Sequence, residues 1–176
     1  MVSIHPLPAD EDAARRFAAE LWLPYNRDLE TVVETHALVD DVPLEEEVEF
    51  RLDLLESEGY RAWIAVDTDE SGESIPSLAA VDSEFVGFIT AELDRAPPVF
   101  DRPDSVLIGD FYVRESYRGT ELARDLFDHV VDWARDSECT ELTLNVDVDN
   151  ERALGFYEKI GFEPRRWKMA VSVDSL

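Results

Sequence analysis

The sequence predicts an α/β (α+β) protein: a mixed, mostly antiparallel central sheet of about six to seven strands, flanked by helices. Three observations carry that class. Short apolar or alternating runs, set off by Gly, Pro, Asp and Ser, recur along the chain as strands do, with Leu142, Leu144, Val146 and Val148 alternating against Thr143, Asn145 and Asp147. Other stretches place apolar residues at helical spacing, as Leu122, Leu126, Val130 and Trp133 do. Finally, the order strand, turn, helix, strand over 105–148 requires a parallel pair joined by a right-handed crossover.

In chain order, VSIHPL (2–7) reads as a short strand. Ala13, Ala14, Phe17, Ala18, Leu21 and Trp22 set a helix from Asp10 to about Glu20, which Pro24 should end or kink. A second helix should start near Pro43, a residue suited to a first turn, with Glu45, Glu46 and Glu47 beside the positive end of the dipole. Its stripe is Leu44, Val48, Leu52 and Leu55, and Gly59 follows its end. RAWIAVD (61–67) and EFVGFITAEL (84–93) read as a hairpin around an acidic tip at 68–77. The 94–104 segment has three prolines and excludes a regular element. A strand over 105–113, a helix to about Asp136, a strand over 141–148, a helix from an Asn150 N-cap through Lys159 to Gly161, and a closing strand around 167–173 complete the reading.

The 176 residues suit one domain, 1–176, large enough to bury a core. Acids outnumber Lys plus Arg by 41 to 16, for a formal net charge of -25. This disfavours nucleic acid, whose phosphates need a dense basic face. It resembles the surface chemistry of proteins from salt-rich cytoplasm, where short screening lengths quench self-repulsion. No apolar run is long enough to span a membrane, and the N-terminal stretch lacks the pattern of a secretory signal, so the expected location is cytoplasmic. Cys139 stands alone and reads as a buried filler. His5, His36 and His129 have no partner at metal or triad spacing, and the acids at 40–41 and 45–47 read as solvated faces, so no metal is expected.

Chemistry concentrates after strand 105–113. A helix start presents unpaired N–H groups and a positive dipole end, which suit a diphosphate. Arg118 and Gly119 fit that use, and equally an ordinary strand-to-helix turn. VRESYRGTELARDLF, LTLNVDVDN and ERALGFYEKIGF together resemble the GCN5-related N-acetyltransferase (GNAT) family. Its coenzyme motif, Arg/Gln-x-x-Gly-x-Gly/Ala, falls on Arg118-Gly119-Thr120-Glu121-Leu122-Ala123 with one mismatch, and its later element on Asn150, Ala153, Tyr157 and Gly161-Phe162.

The resemblance implies a GNAT fold splayed between strands 105–113 and 141–148, with acetyl-CoA as co-substrate. The diphosphate would lie on the backbone of Arg118, Gly119, Thr120, Glu121, Leu122 and Ala123, with Arg124 nearby. The pantetheine arm would lie along Phe111, Tyr112 and Val113, and Asn150 would contact that arm or cap its helix. It implies N-acetyl transfer to a primary amine by direct attack in a ternary complex, with Tyr157 as acid for the departing thiolate. Asp110 would act as base or as attractor of a cationic amine. The acceptor would be a small amine or a peptide amine, and homodimers are common in the family. A coenzyme-binding domain without turnover, or an enzyme for protein N-termini or lysines, are the alternatives. Three departures from the family pattern bear on the site, one being Glu115 in place of a frequent proline. Glu121 stands where the family has glycine, which predicts weakened or salt-dependent coenzyme binding. Position 109, glutamate in polyamine-type members, is Gly109 here.

Overall fold

The first helix runs on through the point where Pro24 was expected to end it. In this computed structural model, which describes residues 1–68, 77–80 and 83–175, α1 (Glu11–Phe17) passes through a π-helical turn, Ala18–Trp22, into α2 (Leu23–Glu30). Asp10 caps the start, accepting from the Ala13 N–H at 2.9 Å. Pro24 lies in the first turn of α2, where its missing N–H leaves the Glu20 carbonyl without the usual helical donor. An arginine from the far side of the fold, Arg114, supplies a replacement at 2.9 Å. Pro43 precedes α3 (Leu44–Glu56) as its N-cap.

The coordinates fall into two compact units, Met1–Asn145 and 146–176, and each is described by itself. The first holds a five-stranded sheet in sequence order: β1 (Val2–Pro6), β2 (Tyr60–Asp67), β3 (Glu84–Asp94), β4 (Ser105–Val113) and β5 (Glu141–Leu144). All neighbours are antiparallel except β4 and β5, which are parallel as the crossover requires. Alternation along β2 sends Ala62, Ile64 and Val66 into a core with Phe17, Leu21, Phe85 and Phe88. Trp63, from the same strand, instead stacks on His129 and meets Trp133 edge-on, both from α4 (Leu122–Asp136), so helices cover both faces. The acidic tip expected at 68–77 lies largely outside the described residues.

The sheet has fewer strands than the sequence predicts. β5 stops at Leu144 instead of continuing to 148, and 167–172 has no strand pairing and leads into a 3₁₀ turn at Val173–Ser175. Trp167, Met169, Val171 and Val173 are exposed there. Periodicity at 2 marks chain that can pair, and pairing itself needs a partner edge. The 94–104 segment is a connector stapled by ions: Arg95 meets Asp104 at 2.8 Å and Arg102 meets Asp94 at 3.2 Å. It joins β4 at Ser105, at the opposite end of that strand from the coenzyme-type loop. In the second unit, Asn150 caps α5 (Glu151–Lys159) by accepting from the Ala153 N–H at 3.2 Å. Gly161, at φ 101°, closes that helix.

Candidate functional site

The centre of β4 is irregular, and that irregularity aims its side chains. Ile89 faces Phe111 and Ala91 faces Ile108, so Thr90 alone opposes both Gly109 and Asp110 in a β-bulge. The Asp110 N–H donates to Thr90 Oγ1 at 2.8 Å. A Cβ on Gly109 would lie 2.6 Å from that oxygen, so the close approach of Thr90 is what requires glycine. On its other side β4 pairs with β5 only from Ser105 to Ile108. The β4–β5 ladder thus ends at Ile108, one residue before the bulge.

Beyond Val113 the chain makes a single 3₁₀ turn, Glu115–Tyr117, and enters α4. Gly119 takes φ 77° with nothing within 4 Å of a Cβ position, so backbone conformation alone selects glycine there. The N–H of Leu122 bonds Thr120 Oγ1 at 3.3 Å and that of Arg124 bonds the Glu121 carbonyl at 2.8 Å. Those of Gly119, Thr120, Glu121 and Ala123 have no protein acceptor among the described residues. Four such amides beside the start of a 15-residue helix are the kind of group that suits an anion. Glu121 is exposed at the N-cap and makes no cap bond, so it adds negative charge to this group without closing it. Arg124 is exposed on the first turn.

Arg118 is committed elsewhere. Its Nε donates to the Val113 carbonyl at 2.9 Å, and its terminal nitrogen meets Asp28 of α2 at 3.0 Å, with Tyr112 beneath the guanidinium. Its role in this structure is to bind the loop to α2. Phe111 packs edge-on to Phe127 of α4, and Tyr112, on the opposite face of the sheet, sits among Tyr25 and Phe88, so the strand is anchored from both sides.

Asp110 belongs to a buried charge cluster. Arg51 of α3 is only 3% exposed, and one of its terminal nitrogens reaches Glu47 Oε1 at 2.6 Å and Asp110 Oδ2 at 3.4 Å. Its Nε also meets Glu47 Oε1, at 3.1 Å, and its other terminal nitrogen donates to the Tyr60 hydroxyl. Burial pushes the Asp110 carboxyl above the ordinary range, and Arg51 and His36 only partly pull it back. Burial likewise raises Glu47 and the Tyr60 phenol, each against Arg51. A carboxylate so raised and one-third exposed has the proton affinity and access of a general base.

Sequence reasoning missed Glu47, Arg51, Tyr60, Thr90 and His36. One signal was present: Arg51 lies three residues after Val48 and four before Leu55, a charge on the apolar stripe, with Glu47 four residues before it. Glu47 is no solvated acid; it is 11% exposed. His129 is a surface ring against Trp63, and Cys139 is buried, both as expected. Among the described residues no cluster of His, Cys, Asp or Glu could hold a metal ion, and no helix is long and apolar enough to cross a membrane. In the second unit Tyr157 packs edge-on to Phe156 and Phe162, at 5.6 and 5.7 Å.

Residues 35–162 match the family model described as Acetyltransferase (GNAT) family. The chain is 31% identical over 100 residues to N-alpha-acetyltransferase 30 of Saccharomyces cerevisiae, covering 57% of this chain and 50% of that one. It is 33% identical over 61 residues to the putative [ribosomal protein bS18]-alanine N-acetyltransferase of Bacillus subtilis, covering 35% and 40%. The chain thus spans half or less of the length of these relatives. Among solved structures, it superposes on AAC(6')-Iy in complex with the bisubstrate analogue CoA-S-monomethyl-acetylneamine with a TM-score of 0.63 and 14% identity, over 98% of this chain and 97% of the other.

Proposed function

We propose, since this chain belongs to the acetyltransferase (GNAT) family, that it transfers an acetyl group from acetyl-CoA to a primary amine in a ternary complex. The carrying observation is the juxtaposition on β4 and its loop of the end of the parallel ladder at Ile108, a group of backbone amides without a protein acceptor among the described residues and a proton-avid carboxylate. The residues fit the coenzyme. The N–H groups of Gly119, Thr120, Glu121 and Ala123 would hold its diphosphate, and β4 over Phe111, Tyr112 and Val113 its amide-bearing arm. Acetyl-CoA supplies the activated thioester; the protein supplies alignment and proton management.

An ammonium ion cannot attack a carbonyl, so the acceptor must lose a proton. Asp110 takes it at Oδ, directly or through a water, and the amine keeps the lone pair. Its raised proton affinity narrows the gap to the amine and lowers the cost of that step. Tyr157 holds a phenolic proton for the leaving sulfur, a role that rests on its place in the family motif. Both curated relatives carry names of enzymes acting on protein amines, which favours a peptide α-amine as acceptor over a small polyamine. Homodimerisation and a cytoplasmic location remain parts of this reading.

The test is two-stage. Calorimetry with CoA should give saturable binding, stronger in high salt; no heat at any ionic strength rejects the site. Acetyl transfer to Ala-Ala-Ala should then exceed transfer to spermidine, and the reverse order assigns a small-amine acceptor. Binding without transfer to either defines a coenzyme-binding domain.

A further inference from the structure

One guanidinium serves two carboxylates in the cluster beneath β4, and it serves them unequally. Arg51 makes two contacts to Glu47 Oε1, at 2.6 and 3.1 Å, and one to Asp110 Oδ2, at 3.4 Å. A contact at 3.4 Å lies beyond the usual range for a hydrogen bond to a carboxylate, while those to Glu47 are ordinary charge-assisted bonds. The remaining terminal nitrogen is spent on Tyr60, and the guanidinium plane lies over Phe17 at 5.1 Å. Arg51 is thus held from three sides, and it leans toward Glu47. The groups facing Asp110 are Arg51 and Glu47 from α3, Tyr60 from β2, Thr90 from β3 and His36 from the 34–36 turn.

We propose that Glu47 is a positioning residue for the transfer: it occupies the Arg51 guanidinium and so leaves Asp110, the loosely held partner, free to take the acceptor's proton. The inference rests on the reading of Asp110 as base. With Glu47 in place, the three charges sum to -1, and the proton from the incoming ammonium neutralises the cluster. The N–H bond breaks, Asp110 becomes a carboxylic acid, and the amine is left neutral with its lone pair. Without the Glu47 charge, Arg51 can close on Asp110 as a full ion pair, and the carboxylate then holds its negative charge against the proton.

The experiment follows the Asp110 carboxyl by carbon NMR titration in the full chain, its resonance identified by its loss in Asp110→Asn, beside the pH dependence of kcat/KM for acetyl-CoA and Ala-Ala-Ala. Glu47→Gln, nearly isosteric, should lower the Asp110 midpoint by about one pH unit. The acid limb of kcat/KM should move with it, and Glu47→Asp should restore part of the shift. An unmoved or raised midpoint in folded Glu47→Gln overturns the inference, whatever the activity. A midpoint that falls while the acid limb stays, or an acid limb that survives Asp110→Asn, removes Asp110 as base, so the role given to Glu47 in the transfer falls with it even though the charge sharing is real. Should Glu47→Gln fold poorly, Tyr60→Phe, which frees the other side of Arg51, must shift the same midpoint downward.

Discussion

Replacing Gly109 with alanine tests the geometry that makes β4 a functional strand. The added Cβ would stand 2.6 Å from Thr90 Oγ1, closer than non-bonded carbon and oxygen come. Thr90 is 2% exposed and its β-branched side chain is stiff, so it has little room to turn away. Two costs follow: overpacking of about 1–3 kcal/mol, and about 1–3 kcal/mol if the Asp110 N–H loses Thr90 Oγ1. Partial relaxation of one relieves the other, so the expected loss is about 2–4 kcal/mol, near 4–16 °C in Tm for a chain of this size. Urea melts of Gly109→Ala, Thr90→Ala and the double variant give the coupling. Because Thr90→Ala removes the obstructing oxygen, the double variant should be less destabilised than the sum of the singles by about 1 kcal/mol or more. A Gly109→Ala stability within about 0.5 kcal/mol of the parent, or strict additivity, would refute the steric account. The same geometry explains why a glutamate cannot be accommodated at 109, and why the acid on this strand is Asp110.

Further outcomes follow from the same coordinates. Glu121→Gln removes an exposed negative charge from beside the amides at the start of α4; CoA affinity by calorimetry should rise several-fold at low salt, and the gain should shrink by 1 M salt. Gly119→Ala meets no atom and pays only for its positive φ, about 1–2 kcal/mol; the urea midpoint should fall by that amount if the loop keeps its conformation, and CoA affinity should fall about tenfold with a smaller stability loss if the loop rearranges. Arg95 and then the Ala96 N–H hold Asp104 below its ordinary value of 3.8. That contribution to stability is present above this value and is lost as pH falls through the lowered one. The gap in urea midpoint between parent and Asp104→Asn should therefore close below about pH 4, and a gap independent of pH would assign the staple no electrostatic share.

Most element types were legible from local pattern. Short apolar runs mark β2, β3 and β4, the stripe through Leu122 and Val130 marks α4, and Asn150 and Gly161 bracket α5 as cap and stop. These signals are local because strand, helix and cap preferences act over a few residues. Pro24 misled for a physical reason: its missing N–H is answered by Arg114, 94 residues distant from Glu20 in sequence. The closing strand failed similarly, since alternation at Trp167, Met169, Val171 and Val173 states a capacity to pair and names no edge.

Within the candidate site, the sequence alone determined the strand, the turn at Gly119 and the helix start after it, because those preferences are written in adjacent residues. Only the tertiary structure decided what surrounds Asp110. Arg51 and Glu47 arrive from a helix more than fifty residues earlier, and Thr90 from the neighbouring strand. The proton affinity of a carboxyl depends on what excludes water from it and which charges stand within a few ångströms. Those distances exist only after distant segments have packed, which is why, in a chain with 41 acids, Asp110 is set apart by its neighbours in space and not by those in sequence.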